Sequence, residues 1–121
     1  MGKLDGDEAL MVGQSPTQLS LAALRAQGYV CWIVEHWNAF TKRRVDLFGM
    51  WDILGVGPLG TIAVQTTTTG VSARVKKISD DDHAAALQAC REAGWTLQVH
   101  GWTSKKVGNR RIYSQRVVDV S

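Results

Sequence analysis

The sequence contains no apolar run approaching 18 residues, so nothing in it is long enough to cross a bilayer as a helix. Its first residues, MGKLDGDEAL, are acidic and polar where a secretory leader would be basic and then apolar. Gly6 stands where a myristoylation signal needs Ser or Thr. A soluble, intracellular (cytoplasmic) protein without membrane contact is the expectation. Only two cysteines are present, Cys31 and Cys90, and they have no CxxC or zinc spacing, so both are expected to pack as small reduced side chains. Repeats and low-complexity tracts of note are also missing.

What is present fits one compact domain. The 121 residues are 45% hydrophobic, enough for an ordinary core and too few for a second. Fourteen basic against eleven acidic side chains give a net charge of +3, a weak argument for an anionic partner taken alone. The distribution is more informative. Lys42, Arg43 and Arg44, then Arg74 with Lys76 and Lys77, then Lys105 and Lys106, then Arg110 and Arg111 fall at element ends or in loops. These are the candidate phosphate contacts, although basic loops are commonly just solvated.

Residues 1–14 lack periodicity and read as a flexible tail, leaving 15–121 as the domain. Ser15-Pro16-Thr17-Gln18 begins a short amphipathic helix that stops at Gly28. Tyr29 to Trp37 has the content of a buried strand, with Glu35 its one acid, either at the sheet rim or aimed into a site. A hairpin follows, with strands over roughly Arg44 to Leu54 and Thr61 to Thr68. With Pro58-Leu59 as a two-residue turn, paired positions sum to 117, so Ile62 faces Gly55 and Gln65 faces Asp52. Opposed side chains have Cβ atoms about 5 Å apart, close enough for one cation to take an Asp carboxylate and a Gln carbonyl.

Asp46, six residues before Asp52, would share its strand face; it could be a second ligand or pair with Arg43 or Arg44, and the arginine pair is favoured. Arg74 to Ile78 is either loop or helical turn. Ser79 followed by Asp80-Asp81-Asp82 reads as a capped helix start running to Ala93, which explains the acidic run structurally. Trp95 to Trp102 alternates as a strand with one polar face, Val107-Gly108-Asn109 turns, and Arg111 to Val120 forms a last strand. His36, His83 and His100 lack zinc spacing and read as surface or edge residues. The five tryptophans are expected in the core, with one or two indoles near Lys105 or Arg110 as candidates for base stacking.

This order, with RRVDLFGMWDILGV followed by IAVQTT, resembles the PD-(D/E)XK nucleases, and in particular small phage and bacterial proteins carrying DLFG, then D, then VQTT or a close variant. The resemblance covers about residues 15 to 103. It implies an α/β fold with an αβββαβ restriction-endonuclease-like core, a central mixed sheet flanked by helices. It also implies Mg2+- or Mn2+-dependent hydrolysis of DNA phosphodiesters, with Asp52 as principal ligand. Gln65, the Thr66 carbonyl and Glu35 would complete the shell. Thr67 occupies the position of the family's lysine, so Lys76, Lys77 or Arg74 would have to substitute for it. Many small nucleases of this fold act as homodimers. The alternatives are a non-catalytic nucleic-acid-binding or regulatory module on the same fold, and a protein-interaction domain.

Overall fold

The computed structural model describes residues 14–121, and the expected tail lies outside them but for Gln14. Helix α1 spans Pro16–Ala26, capped by the Ser15 hydroxyl, which accepts from the Gln18 amide at 3.1 Å. It ends where Gly28 takes φ +97° and the Tyr29 amide reaches back to the Leu24 carbonyl, a left-handed stop suited to glycine. Strand β1 (Val30–Ile33), β2 (His36–Asn38) and β3 (Arg43–Val45) follow, then the hairpin β4 (Ile53–Gly57) and β5 (Gly60–Thr67). Helix α2 (Val71–Ile78), a 3-10 turn (Asp81–His83) and α3 (Ala84–Glu92) lead to β6 (Thr96–Val107) and β7 (Arg110–Asp119).

The main sheet has five strands in the order β1-β4-β5-β6-β7, and β2 pairs with β3 in a separate two-stranded ribbon. All neighbours in the main sheet are antiparallel except β5 and β6. The parallel pair is reached through the helical crossover of α2 and α3, as parallel pairing requires. Helix α1 covers one face with Leu21 and Leu24 against Cys31, Ile53, Ile62 and Val64. On the other face, Val71 and Ile78 of α2 and Leu87 and Cys90 of α3 pack with Met50, Trp51, Ala63, Leu97 and Val99. The molecule is a mixed α/β fold whose sheet is covered on both sides. Among the described residues no helix is long and apolar enough to cross a membrane.

The β4–β5 turn forms as its sequence dictates. Gly57 pairs with Gly60 around Pro58-Leu59, Gly55 faces Ile62, and Gly60 takes φ +113°. Two other expectations change, and the open choice at residues 74–78 falls to helix. The run Tyr29 to Trp37 is not one buried strand: β1 is a sheet edge with Val30 79% and Trp32 76% exposed, and the chain breaks before β2. Its β-branched and aromatic content reflects pairing with β4 rather than burial. The segment after Arg74 is helical and begins earlier, at Val71. Ser79 closes α2 by donating to the Val75 carbonyl, and Asp80 is the cap that accepts from the His83 amide, so the following α-helix starts only at Ala84.

Candidate metal centre

The Asp46 to Asp52 segment is not a continuous strand. Phe48 and Gly49 adopt φ +56° and +71°, the chain reverses, and Leu47 and Trp51 exchange backbone hydrogen bonds in both directions. Reversal about that pair sets Asp46 opposite Asp52. Trp51 packs with the α2–α3 layer and Ile53 with the α1 layer. Asp52 sits at the bend between them, its amide donating to the Val64 carbonyl at 2.8 Å.

The Asp52 side chain is buried and heavily hydrogen-bonded. Its Oδ2 accepts from the Gln65 Nε2 (2.8 Å), the Thr66 amide (2.8 Å) and the Thr66 hydroxyl (3.0 Å). The Thr66 hydroxyl lies 3.0 Å from that of Thr17, tying the centre to α1. Its other neighbours are acidic. Glu35, Asp46 and Asp52 each offer a carboxylate oxygen, and the three oxygens lie within 4.8 Å of one another. Burial pushes the Asp52 carboxyl up to about 7; the Thr66 amide opposes this, and the adjacent Asp46 adds to it. Among the described residues no cationic side chain lies within 4 Å of Asp52, and the Arg44 guanidinium touches only Glu35, at 4.0 Å.

Asp46 therefore does not take an arginine partner; Glu35 does, because the turn at Phe48 carries Asp46 toward Asp52 and the β2–β3 pairing leaves Arg44 beside Glu35. Gln65 is close to Asp52 as its position implied, but it presents its amide nitrogen. Its Oε1 is buried with no protein partner. Thr66 meets Asp52 through its amide and hydroxyl. The Thr67 hydroxyl accepts from the Gly70 amide at 3.3 Å and so closes the turn into α2. Lys76 and Lys77 stand exposed in the last turn of α2, and Arg74 is half-buried one turn earlier.

A second buried polar cluster lies one strand away and has no mark in the local sequence. His100, paired with Thr66 across β5 and β6, is 1% exposed. Its Nδ1 lies 2.8 Å from the Ser20 hydroxyl and 3.2 Å from the Gln115 amide, and its Nε2 lies 2.9 Å from the Gln98 Oε1. Gln115 is a donor to Nδ1 and Gln98 an acceptor from Nε2, which fixes the neutral tautomer protonated on Nε2. Burial lowers the imidazole to about 4. Trp102 completes the cluster by donating its indole N–H to Ser20 at 2.8 Å. The exposed indoles are Trp32 and Trp37, near Glu35 in sequence, rather than residues beside Lys105 or Arg110. Both thiols are buried and free, burial raising each above its ordinary value.

No family model, curated protein or solved structure matches the chain. The functional reading therefore rests on the geometry of the acidic centre and its surroundings.

Proposed function

We propose that the protein is a divalent-metal-dependent DNA nuclease with a restriction-endonuclease-like core. The observation that carries this reading is the convergence of Glu35, Asp46 and Asp52, with Arg44 against Glu35 at 4.0 Å and, among the described residues, no cation on either aspartate. Holding the buried Asp52 carboxylate ionised beside two half-buried acids costs several kcal/mol, which a proton or a metal ion would offset. An oxygen-only donor set suits Mg2+ or Mn2+, and the unpartnered Gln65 Oε1 adds a neutral oxygen. Residues and ion thus fit chemically.

Asp52, Asp46 and Glu35 would hold the ion. It would supply Lewis acidity toward a phosphodiester and a water nucleophile. The chain's own part is positional: the Thr66 amide and hydroxyl fix the Asp52 carboxylate through its Oδ2. Thr17 holds the Thr66 hydroxyl in turn. The order α1-β1-β4-β5-α2-β6, with β6 parallel to β5 and Asp52 immediately before β4, supports the core assignment. Arg44 lies against Glu35, so a phosphate contact from it would lie beside the centre, with Lys42 and Arg43 just before it in the chain. Lys76 or Lys77 would have to move in to orient the nucleophile. An intracellular setting fits both the free thiols and the need for magnesium, and a homodimer would provide one centre per DNA strand.

Thr67 favours a second reading, a non-catalytic DNA-binding module, because a hydroxyl committed to Gly70 stands where the resemblance calls for a lysine. The deciding experiment compares wild type with Asp52→Ala on labelled duplex, single-stranded and branched DNA with Mg2+ or Mn2+. Metal-dependent products from wild type alone are expected. Cleavage that persists in the variant, or no cleavage by wild type despite DNA binding, contradicts the nuclease reading.

A further inference from the structure

The ends of the sheet are unlike. Strands β4 and β5 run antiparallel, so Asp52 before β4 lies at the same end of the sheet as Thr66 and Thr67, the last residues of β5. Strand β6 runs parallel to β5 and pairs with it only as far as Gly101, opposite Thr67. The remaining residues, Trp102 to Val107, continue past that end with β7 as their only strand partner. Six residues at about 3.4 Å each form an arm of roughly 20 Å. It overhangs the end of the sheet that holds the acids.

The arm's charge is one-signed and two-faced. No Asp or Glu occurs between Glu92 and Asp119. Lys106 pairs with Arg111, and by alternation they share the face of Trp102, which bonds to α1. Lys105 and Arg110 fall on the opposite face, that of Gly101, where Val71 of α2 packs. All four are exposed. A single phosphate backbone laid along a sheet would need cations on one face only; cations on both faces suit a ribbon flanked by two backbones. The major groove of B-form DNA, about 12 Å wide, admits a two-stranded ribbon, whereas that of A-form RNA is too narrow.

We propose that the β6–β7 ribbon is an arm that enters the major groove of duplex DNA, with Lys105 and Arg110 facing one phosphate backbone and Lys106 and Arg111 the other. This deepens the nuclease reading, on which the presentation of a phosphodiester to Asp52 rests; the seating on duplex does not depend on it. Gly108, at φ +62°, gives the arm a two-residue tip with Asn109.

The test uses the full chain with chelator, measuring affinity against salt for a DNA duplex, either strand alone and the matching RNA duplex. Wild type should favour the DNA duplex at least tenfold over both others. K105A/R110A and K106A/R111A should each lower the salt slope by about 1.8, two phosphates' worth, with a loss of about tenfold or more at 0.15 M salt. Equal affinity for a single strand or RNA duplex, or an effect from only one of the two variants, overturns the arm. Cleavage assayed alongside, with Asp52→Ala as control, separates the two ideas. Duplex binding through both faces without cleavage sinks the nuclease and keeps the arm; cleavage with ribbon variants that bind like wild type does the reverse.

Discussion

Asp52 and His100 are both buried polar residues, linked through Thr66, yet their surroundings differ in kind. Around His100 each ring nitrogen has a hydrogen-bond partner on α1, β6 or β7, and the ring is held neutral. Around Asp52 the donors all reach one oxygen, two more carboxylates lie close by, and a buried Gln65 oxygen has no partner. A closed network of this kind specifies packing; an open one leaves room for a ligand. Neighbouring clusters in one sheet thus differ in how fully their polar groups are paired.

The largest effect expected from breaking this contrast is at the closed cluster. His100→Ala removes a buried ring and strands Ser20, Gln98 and Gln115, which should cost about 2 to 4 kcal/mol of stability in urea unfolding. Ser20→Ala, which orphans the Trp102 indole and leaves the His100 Nδ1 with the longer Gln115 contact alone, should cost about 1 to 3 kcal/mol by the same measurement. At the open cluster the sign reverses: Asp52→Asn keeps an acceptor for Thr66 and Gln65 and removes repulsion with Asp46. Without metal at pH 8 it should be more stable than wild type, by about 1 kcal/mol.

The pH dependence sharpens the comparison. The Asp52 carboxyl is raised to about 7 in the fold, so the folded state holds a proton that the unfolded state has lost. Its contribution is present below the ordinary aspartate range and disappears as pH rises toward 7. His100 is lowered to about 4, so the unfolded state binds the extra proton, and its contribution is present above about 6.5 and disappears as pH falls toward 4. The stability advantage of Asp52→Asn over wild type should therefore grow between pH 5 and pH 8. An advantage that shrinks over that range would contradict the raised carboxyl.

The β4–β5 hairpin was legible because Gly57-Pro58-Leu59-Gly60 permits a tight turn and fixes the register that brings Gln65 toward Asp52. The place of Asp46 was not. Phe48 adopts a left-handed conformation that a bulky residue rarely takes, so RVDLFGMWDIL reads as one strand although the chain reverses within it. His100 reads as a surface or edge histidine yet is buried, since its partner Ser20 is 80 residues away and no local pattern encodes the contact. The exposed edge strand β1 misled in the opposite sense: Val30 and Trp32 suit a pleated backbone whether or not anything covers them.

The most direct test of the central claim is the binding of Mn2+ to wild type and Asp52→Asn, followed by calorimetry at pH 8. Saturable binding to wild type that is lost in the variant, with His100→Ala or Ser20→Ala binding as wild type does, is the predicted result. Equal binding by wild type and Asp52→Asn, or none by either, would contradict a metal centre at Glu35, Asp46 and Asp52.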